Sequence, residues 1–196
     1  GGTATFGIST KNGIELYLDN LNAAGGIGGT RVRVIVEDDQ SRPEEAATAA
    51  SKLIDQDGVI AMLGEVASSR SMAAAPACQK AGVPMISPSS TNPKVTEIGD
   101  HIFRVCYIDP FQGMVIAKFA RSTLGLTRAA ILRDNKNDYS VGLANYFADA
   151  FQAQDQHALR RGVAPAGRPR PDGGRETPEH EIRQADRPAL PPVVDL

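Results

Sequence analysis

The sequence contains no tryptophan, only two cysteines and only three histidines among 196 residues. Cys78 and Cys106 form neither a CxxC pair nor any other spacing typical of metal ligands. Each lies in an apolar segment, which favours two buried free thiols, and a disulfide between them in an oxidising compartment is the alternative. We therefore expect no metal centre built on cysteine and histidine.

Catalytic motifs are also missing. The chain has no GxSxG, HExxH or phosphate-binding P-loop sequence. His101 is the only histidine before the C-terminal segment, so a Ser-His-Asp site would have to combine it with Ser68 or Ser87, which we regard as a minor alternative. The acidic run Glu37-Asp38-Asp39 could bind a divalent cation, but such a run is more often solvated surface. We expect no enzyme, no cofactor and no metal.

The chain lacks any excess of basic residues, since its formal net charge is −2. This balance does not favour nucleic acid or an acidic membrane surface as a partner. No apolar stretch reaches membrane-spanning length, and the first residues carry no apolar signal-peptide core. We expect that a signal peptide, if there was one, has been removed.

Aromatic residues are absent from the C-terminal segment. All six phenylalanines and four tyrosines lie at or before Phe151, whereas residues 152–196 contain seven of the thirteen prolines, seven arginines and seven acidic residues. Such a segment buries little apolar surface, so we expect it to be largely disordered. Its composition is also typical of GC-rich DNA read out of frame.

The most informative segment that is present runs from Gly82 to Pro93. Gly82 and Pro84 predict the end of a helix, and Met85 with Ile86 predicts a short interior strand. Four hydroxyl side chains follow at the carboxyl end of that strand, namely Ser87, Ser89, Ser90 and Thr91. Ligands of open α/β sheets bind at this edge, although an ordinary Ser/Pro turn would look similar.

A second strand end of the same kind precedes it. Val59 to Gly64 is an apolar strand candidate, and the loop after it contains Ser68 and Ser69 before a helix at about Arg70 to Ala81. The amides and the positive dipole end of this helix would favour an anion such as a carboxylate. Ser68 could also act only as an N-cap, and the two roles are compatible.

Alternation of strands and helices indicates the fold. Residues 31–36 predict a strand. Ser41, Pro43 and Glu44 then resemble a capping box and first turn of a helix that reaches about Asp57. Ile102 to Val105 predicts a further strand. The glycine run at residues 25–29 follows the first helix, Lys11 to Ala24, instead of preceding one, so a dinucleotide site is rejected. We predict an α/β fold with a doubly wound parallel sheet and helices on both faces.

The same order then begins again. A helix from Gln112 to about Leu124, a strand at Ala129 to Arg133 and a helix from about Val141 to Phe151 suggest the start of a second, similar sheet. No strand precedes the first helix, although a doubly wound sheet normally begins with one. Residues 1–9 would be the loop after that missing strand. We predict lobe 1 at residues 1–110 without its first strand, the start of lobe 2 at 111–151, and the tail at 152–196.

Four segments in order carry a resemblance to a known family: Leu16 to Gly29, Gly82 to Pro93, Phe103-Arg104, and Asp134 with Tyr139 and Gly142. Together they resemble the type I periplasmic binding proteins of the Leu/Ile/Val-binding family, the solute receptors of ABC importers for branched-chain amino acids. The resemblance covers residues 1–151. It implies two α/β lobes that close on a solute like a hinge, a periplasmic location, and membrane permease subunits as partners.

The resemblance also assigns site residues. It places Phe6 and Tyr139 at aromatic positions over the ligand, and Ser68, beside Ser69, where a hydroxyl and an amide hold the α-carboxylate. Ser89, next to Ser90, matches a position whose carbonyl faces the α-ammonium, Thr91 contacts both charged groups, and Asp109 lies near the crossing between lobes. As alternatives, Phe6 belongs to the core, Asp109-Pro110 is a plain turn or helix start, and Tyr139 is a surface loop residue.

Three functional alternatives stay open. The first is a ligand of the branched-chain amino acid type, where Ser68 and Thr91 favour an amino acid zwitterion. The second is a domain that senses amides, urea or aromatic acids, and the third is a truncated gene product without binding activity. The acidic residue that family members use against the ammonium from lobe 2 has no counterpart here. A single lobe leaves half of the cleft open, so we expect an affinity in the millimolar range or weaker.

Overall fold

The computed structural model describes residues 2–160. Within that range the chain forms helices and short strands in alternation. In chain order these are α1 (Ala4–Ala23), α2 (Pro43–Asp55), β1 (Met62–Leu63), α3 (Ser68–Ala81), β2 (Met85–Ser87), a 3-10 turn (Pro93–Val95), β3 (Ile102–Arg104), α4 (Asp109–Lys118), a π-helical turn (Phe119–Thr123) and α5 (Asp138–Arg160).

The three strands form a parallel sheet in the order β1-β2-β3. Met62 pairs with Met85, and Met85 pairs with Ile102, so these three side chains lie in one row across the sheet. Parallel neighbours require a crossover connection, which α3 supplies between β1 and β2. The predicted α/β class with a parallel sheet is confirmed.

One face of this sheet carries the core. Met85 and Ile102 are buried there against α3, and α2 packs on α3 through small side chains. The core cluster consists of Ala46, Ala50, Ala74, Ala75, Cys78, Met85, Val95 and Ile102. Alanines at the α2–α3 contact let the two helices approach closely, which is a packing that larger side chains would prevent.

The other face of the sheet is open in the described residues. Leu63, Ile86 and Phe103 form its row, and Leu63 and Phe103 are 47% and 49% exposed. Helix α1 does not cover them, since none of its residues is buried. Within residues 2–160, the core helices pack on one face, and the row on the other face stays largely exposed.

Two predicted strands do not form. Residues 31–36 and 129–133 have no helix or strand assignment, and no strand of the described range pairs with either. A strand is stable only when its backbone groups are paired with a neighbour, and apolar alternation alone does not supply one. Leu132, 102% exposed, shows that the second segment also lacks a core to pack on.

Helix boundaries differ from the predictions at three places. Helix α1 starts at Ala4, so most of residues 1–9 is not the predicted loop. The N-cap of α2 is Arg42 with Pro43 in the first turn, and Ser41 instead contacts the Thr3 hydroxyl, 3.0 Å between the two oxygens, so the predicted capping box is wrong. The N-cap of α3 is Ala67, which frees Ser68 from a capping role.

The end of α3 confirms the prediction at Gly82. Gly82 has a φ of +70°, a left-handed conformation that residues with a Cβ rarely adopt. Its amide donates to the Gln79 carbonyl, and the Val83 amide donates to the Cys78 carbonyl. This C-terminal turn directs the chain into β2 and so places the serine loop after it.

A second core joins α4 to α5. Ala117, Ala120 and Phe151 are buried together, and the Arg121 guanidinium lies 4.6 Å from the centre of the Phe151 ring. Helix α5 continues past Phe151 to Arg160, so the predicted tail begins inside this helix. The rest of the tail, residues 161–196, lies outside the described residues.

Both cysteines are free thiols, as predicted. Cys78 is fully buried in the α2–α3 core, where desolvation raises the pKa of its thiol to about 11. Cys106 is half-buried, and burial raises the pKa of its thiol as well. Neither has the low pKa that a reactive cysteine needs.

Candidate functional site

The serine loops of β1 and β2 meet at the carboxyl edge of the sheet. The backbone carbonyl of Glu65, after β1, accepts hydrogen bonds from the hydroxyls of Ser71, Ser87 and Ser90 at 2.9, 2.6 and 3.1 Å. The Ser89 hydroxyl donates to the Val66 carbonyl at 2.8 Å. These bonds fix the two loops against each other and use the Ser89 and Ser90 side chains for that purpose.

Ser68 keeps a free donor in this arrangement. Its hydroxyl oxygen accepts a hydrogen bond from the Asn92 amide at 3.2 Å, so the hydroxyl hydrogen remains able to donate. The backbone amides of Ser68 and Ser69, at the first turn of α3, make no hydrogen bond within residues 2–160. One hydroxyl and two amides at a helix N-terminus are suited to hold an anion.

Thr91 supplies an unpaired polar atom beside these donors. Its hydroxyl oxygen is buried and makes no hydrogen bond of good geometry among the described residues. The residue is only 7% exposed, and its carbonyl accepts from the Asp109 amide at 2.9 Å. The Asp109 carboxyl is the polar neighbour of this hydroxyl, and the hydrogen-bonding capacity that the hydroxyl keeps is available to a ligand atom or a water molecule.

Asp109 lies next to Thr91 at the start of α4. The carboxyl group is fully buried, and neither oxygen forms a hydrogen bond of good geometry within residues 2–160. Burial raises the pKa of this carboxyl above its ordinary value, and the nearby Thr91 hydroxyl and Arg104 guanidinium lower it to a smaller degree.

Arg104, at the end of β3, holds the loop that contains Thr91. Its guanidinium donates to the carbonyls of Ser90 and Asn92, both at 2.7 Å. The same group donates to the Pro93 carbonyl at 2.9 Å and to the Thr96 hydroxyl at 2.7 Å. The Phe103-Arg104 motif did not predict this role, because bonds to backbone carbonyls leave no pattern in the sequence.

A cluster of charged side chains lies next to the loop after β1. The Arg70 Nε lies 2.9 Å from a Glu65 carboxylate oxygen and 3.2 Å from an Asp39 carboxylate oxygen, and Arg70 is 6% exposed. Burial raises the pKa of Glu65, whereas the Ala67 amide and Arg70 act in the opposite direction. Arg70 also donates to the Thr3 hydroxyl at 2.7 Å, which attaches the start of α1 to α3.

The acidic run after residue 36 does not form a metal site. Glu37 pairs with Lys52, the Asp38 carboxylate accepts from the Gln40 amide, and Asp39 faces Arg70. In the part of the chain that is described, no three His, Cys, Asp or Glu side chains are grouped so that they could bind a metal. The same range also lacks any helix with the length and hydropathy needed to cross a membrane.

The two predicted aromatic residues differ in position. Tyr139 lies in the first turn of α5, is 37% exposed, and its hydroxyl accepts a long hydrogen bond of 3.4 Å from the Gln112 side chain. Phe6 lies on α1, and its side chain is 65% exposed, so most of the ring faces solvent. The structure thus places Tyr139 beside α4 and leaves Phe6 outside the core.

Five of the eight predicted residues therefore lie together at the sheet edge, Ser68, Ser69, Ser89, Ser90 and Thr91, with Asp109 beside them. Ser69 reaches α5 instead of facing only the sheet, because its hydroxyl accepts from the Asp138 amide at 3.2 Å. Asn92, which sequence reasoning did not select, connects this group to both Ser68 and Asp138.

Comparison with known proteins bears on this arrangement. The family model described as periplasmic binding protein matches residues 1–172. An amino acid binding protein of Pseudomonas aeruginosa is 37% identical over 155 residues, which cover 79% of this chain and 40% of that protein. A leucine-specific-binding protein of Salmonella typhimurium is 33% identical over 153 residues, covering 78% of this chain and 41% of that protein.

A solved structure shows the same likeness. The branched-chain amino acid transporter substrate-binding protein LivJ of Streptococcus pneumoniae, crystallised with isoleucine, superposes with a TM-score of 0.75 at 35% sequence identity. The match covers 78% of this chain and 44% of LivJ. The chain thus spans about two fifths of the length of the curated relatives it matches, which share 40% and 41% of their length with it.

Proposed function

We propose that this chain, which belongs to the periplasmic binding protein family, supplies the first-lobe half of a binding site for an amino acid of the branched-chain type. The observation that carries the proposal is the group of unused donors at one sheet edge. These are the Ser68 hydroxyl hydrogen, the Ser68 and Ser69 amides, and the buried Thr91 hydroxyl, whose polar neighbour is the Asp109 carboxyl.

The chemistry of an amino acid fits this group. The α-carboxylate takes the hydroxyl and amides at the N-terminus of α3, where the helix dipole also favours negative charge. The α-ammonium needs acceptors, and the Ser89 carbonyl and the Thr91 hydroxyl oxygen provide them. A hydrogen bond to a charged group contributes about 1.5–3 kcal/mol, so these few contacts give a measurable but weak affinity.

The rest of the function follows from the family. We propose that the protein acts in the periplasm as the solute-binding component of an ABC importer and delivers its ligand to membrane permease subunits. Residues 1–110 act as the first lobe, and residues 111–151 begin the second. Tyr139 closes over the solute from the second lobe, and Phe6 reaches it only after α1 has moved.

The assignment is tested by ligand-observed NMR on the 196-residue chain. Saturation transfer to L-leucine at millimolar concentration is expected for the unchanged protein, with weaker transfer to D-leucine because its charged groups cannot match the same donors. Thr91→Val and Ser68→Ala should each weaken the transfer severalfold, since each removes one contact to a charged group.

Ser51→Ala is the matched control, because Ser51 is exposed on α2 and lies outside the site. It should leave the leucine signal unchanged. Equal transfer to leucine in the Thr91→Val and Ser51→Ala proteins would refute the proposed site. Transfer to urea or 4-hydroxybenzoate in place of leucine would show instead that the site selects a different class of solute.

A further inference from the structure

The first residue of α5 is held at both of its backbone groups by the serine loops. The Asp138 amide donates to the Ser69 hydroxyl at 3.2 Å, and the Asp138 carbonyl accepts from the Asn92 side-chain amide at 3.1 Å. Ser69 lies in the first turn of α3 and Asn92 in the loop after β2, so two separate segments of the first lobe bind a single residue of the second. We call the set Ser69, Asn92 and Asp138 the Asp138 clasp.

Asn92 is fixed by every polar group that it has. Its amide donates to the Ser68 hydroxyl at 3.2 Å, its side-chain oxygen accepts from the Lys94 amide at 3.0 Å, and its carbonyl accepts from Arg104 at 2.7 Å. The residue is 6% exposed. A side chain restrained in this way cannot follow Asp138 if α5 moves, so the clasp is either closed or broken.

One helical turn later α5 again lies close to the same residues. A Cβ atom added to Gly142 would lie 3.2 Å from the Asn92 side-chain nitrogen and 3.3 Å from an Asp109 carboxylate oxygen. Both neighbours are buried, and Asn92 is fixed in place as described above. The start of α5 therefore packs against the first lobe over a full turn, with Asn92 at the centre of the contact.

We propose that Ser69 and Asn92 are positioning residues that set the start of α5, and with it Tyr139, over the carboxylate site at Ser68. The inference deepens the proposed function and rests on it. Ser69 thereby acts through its side chain on the second lobe, while its amide remains available to the solute. Asn92 couples the carboxylate site to the start of α5, because the same residue bonds to Ser68 and to Asp138.

The test is hydrogen exchange of the Asp138 amide, measured by NMR on the 196-residue chain without any solute. Ser69→Ala removes the acceptor of this amide, and exchange should accelerate about fivefold, the equivalent of one ordinary hydrogen bond. Asn92→Ser keeps an oxygen for the Lys94 amide but is too short to reach the Asp138 carbonyl. It should accelerate exchange of the Asp138 amide by a similar factor, although Asn92 does not touch that amide.

The second result separates a clasp from two independent contacts. An unchanged exchange rate of Asp138 in Asn92→Ser, with the expected acceleration in Ser69→Ala, would overturn the proposal. Ser51→Ala is again the control, and the Leu53 amide inside α2 should exchange at the same rate in all variants, which shows that they are folded. Since no solute is present, failure of leucine binding would count against the proposed function alone and would leave the exchange result standing.

Discussion

At the scale of single residues, Arg104 has the greatest influence on the candidate site. Its four hydrogen bonds reach the chain from Ser90 to Thr96, so one side chain determines the shape of the loop that carries Thr91. A guanidinium group is planar and presents several donors in fixed directions, which an ammonium group cannot imitate. The loop conformation thus depends on arginine specifically and not on positive charge.

Replacement of Arg104 should therefore lower the free energy of unfolding by an amount that depends on the new residue. Arg104→Lys keeps the charge but loses part of the hydrogen bonds, and we expect the free energy of unfolding to fall by about 1–2 kcal/mol. Arg104→Ala should cost about 2–4 kcal/mol, because buried carbonyls lose their donor. Urea unfolding followed by circular dichroism measures both, with Arg128→Lys in an exposed segment as the control. Equal stability of the Lys and wild-type proteins would contradict this role.

Asp109 gives a prediction for pH. Burial raises the pKa of its carboxyl in the folded chain above the ordinary value of 3.8. A raised folded-state pKa means that the neutral form stabilises the fold below pH 3.8 and that this contribution is lost as pH rises through the folded-state pKa. Asp109→Asn, which cannot ionise, should therefore be more stable than the wild type at pH 7.

The comparison with wild type must be repeated in acid. At pH 3 the two proteins should be about equally stable, because Asp109 is then protonated in the folded and unfolded states. Taking the difference between variant and wild type removes the contribution of Glu65, whose pKa burial also raises. A stability difference between the two proteins that stays constant from pH 3 to pH 7 would show that folding does not raise the pKa of the Asp109 carboxyl.

At the scale of helices, α4 and α5 meet at Gly113. A Cβ atom there would lie 2.8 Å from the Phe147 amide nitrogen and from two Tyr146 atoms, which is closer than van der Waals contact allows. Gly113→Ala should destabilise the α4–α5 pair by about 1–3 kcal/mol, even though alanine favours helices. Thermal unfolding measures this change.

The chain supplies a control of opposite sign. Gly7 also lies within a helix, but a Cβ atom there would meet nothing within 4 Å. Gly7→Ala should raise the stability of α1 by about 0.5–1 kcal/mol, because only helix propensity changes. Similar effects of the two replacements would show that α4 and α5 are not packed at Gly113.

The elements also show what the sequence could reveal. The end of α3 at Gly82 and the strand after it were predictable, because a left-handed glycine and a proline act through local sterics. The strands at residues 31–36 and 129–133 were not, because a strand depends on a neighbour that local sequence does not specify.

The candidate site divides in the same way. Hydroxyl residues at two strand ends predicted that the segments carrying Ser68 and Thr91 would lie at the same edge, since the carboxyl ends of parallel strands share one edge. The contacts of Arg104, Asn92 and Gly142 were not predicted. Arg104 and Asn92 bond to backbone carbonyls, and Gly142 allows a close approach because it has no side chain. Such contacts carry no residue pattern and require the three-dimensional arrangement.

At the scale of the whole molecule, we propose that the described residues form one wall of a binding cleft. The family members it resembles are longer, and the chain matches 40–44% of their length. Burial of most of a ligand's surface requires walls on both sides, so the affinity of this chain should be limited to the few polar contacts of the sheet edge. The account thus predicts weak binding at a defined place, not the absence of binding.

The most direct test is a titration of the isotope-labelled 196-residue chain with L-leucine, followed through its amide NMR signals. The account predicts shifts concentrated at Ser68, Ser69 and Thr91, with half-saturation in the millimolar range or above. Signals of α2, such as Leu53, should stay in place. Signals that remain unchanged at Ser68, Ser69 and Thr91 at tens of millimolar leucine, or saturation at micromolar concentration, would contradict the assignment of this edge as half of an amino acid site.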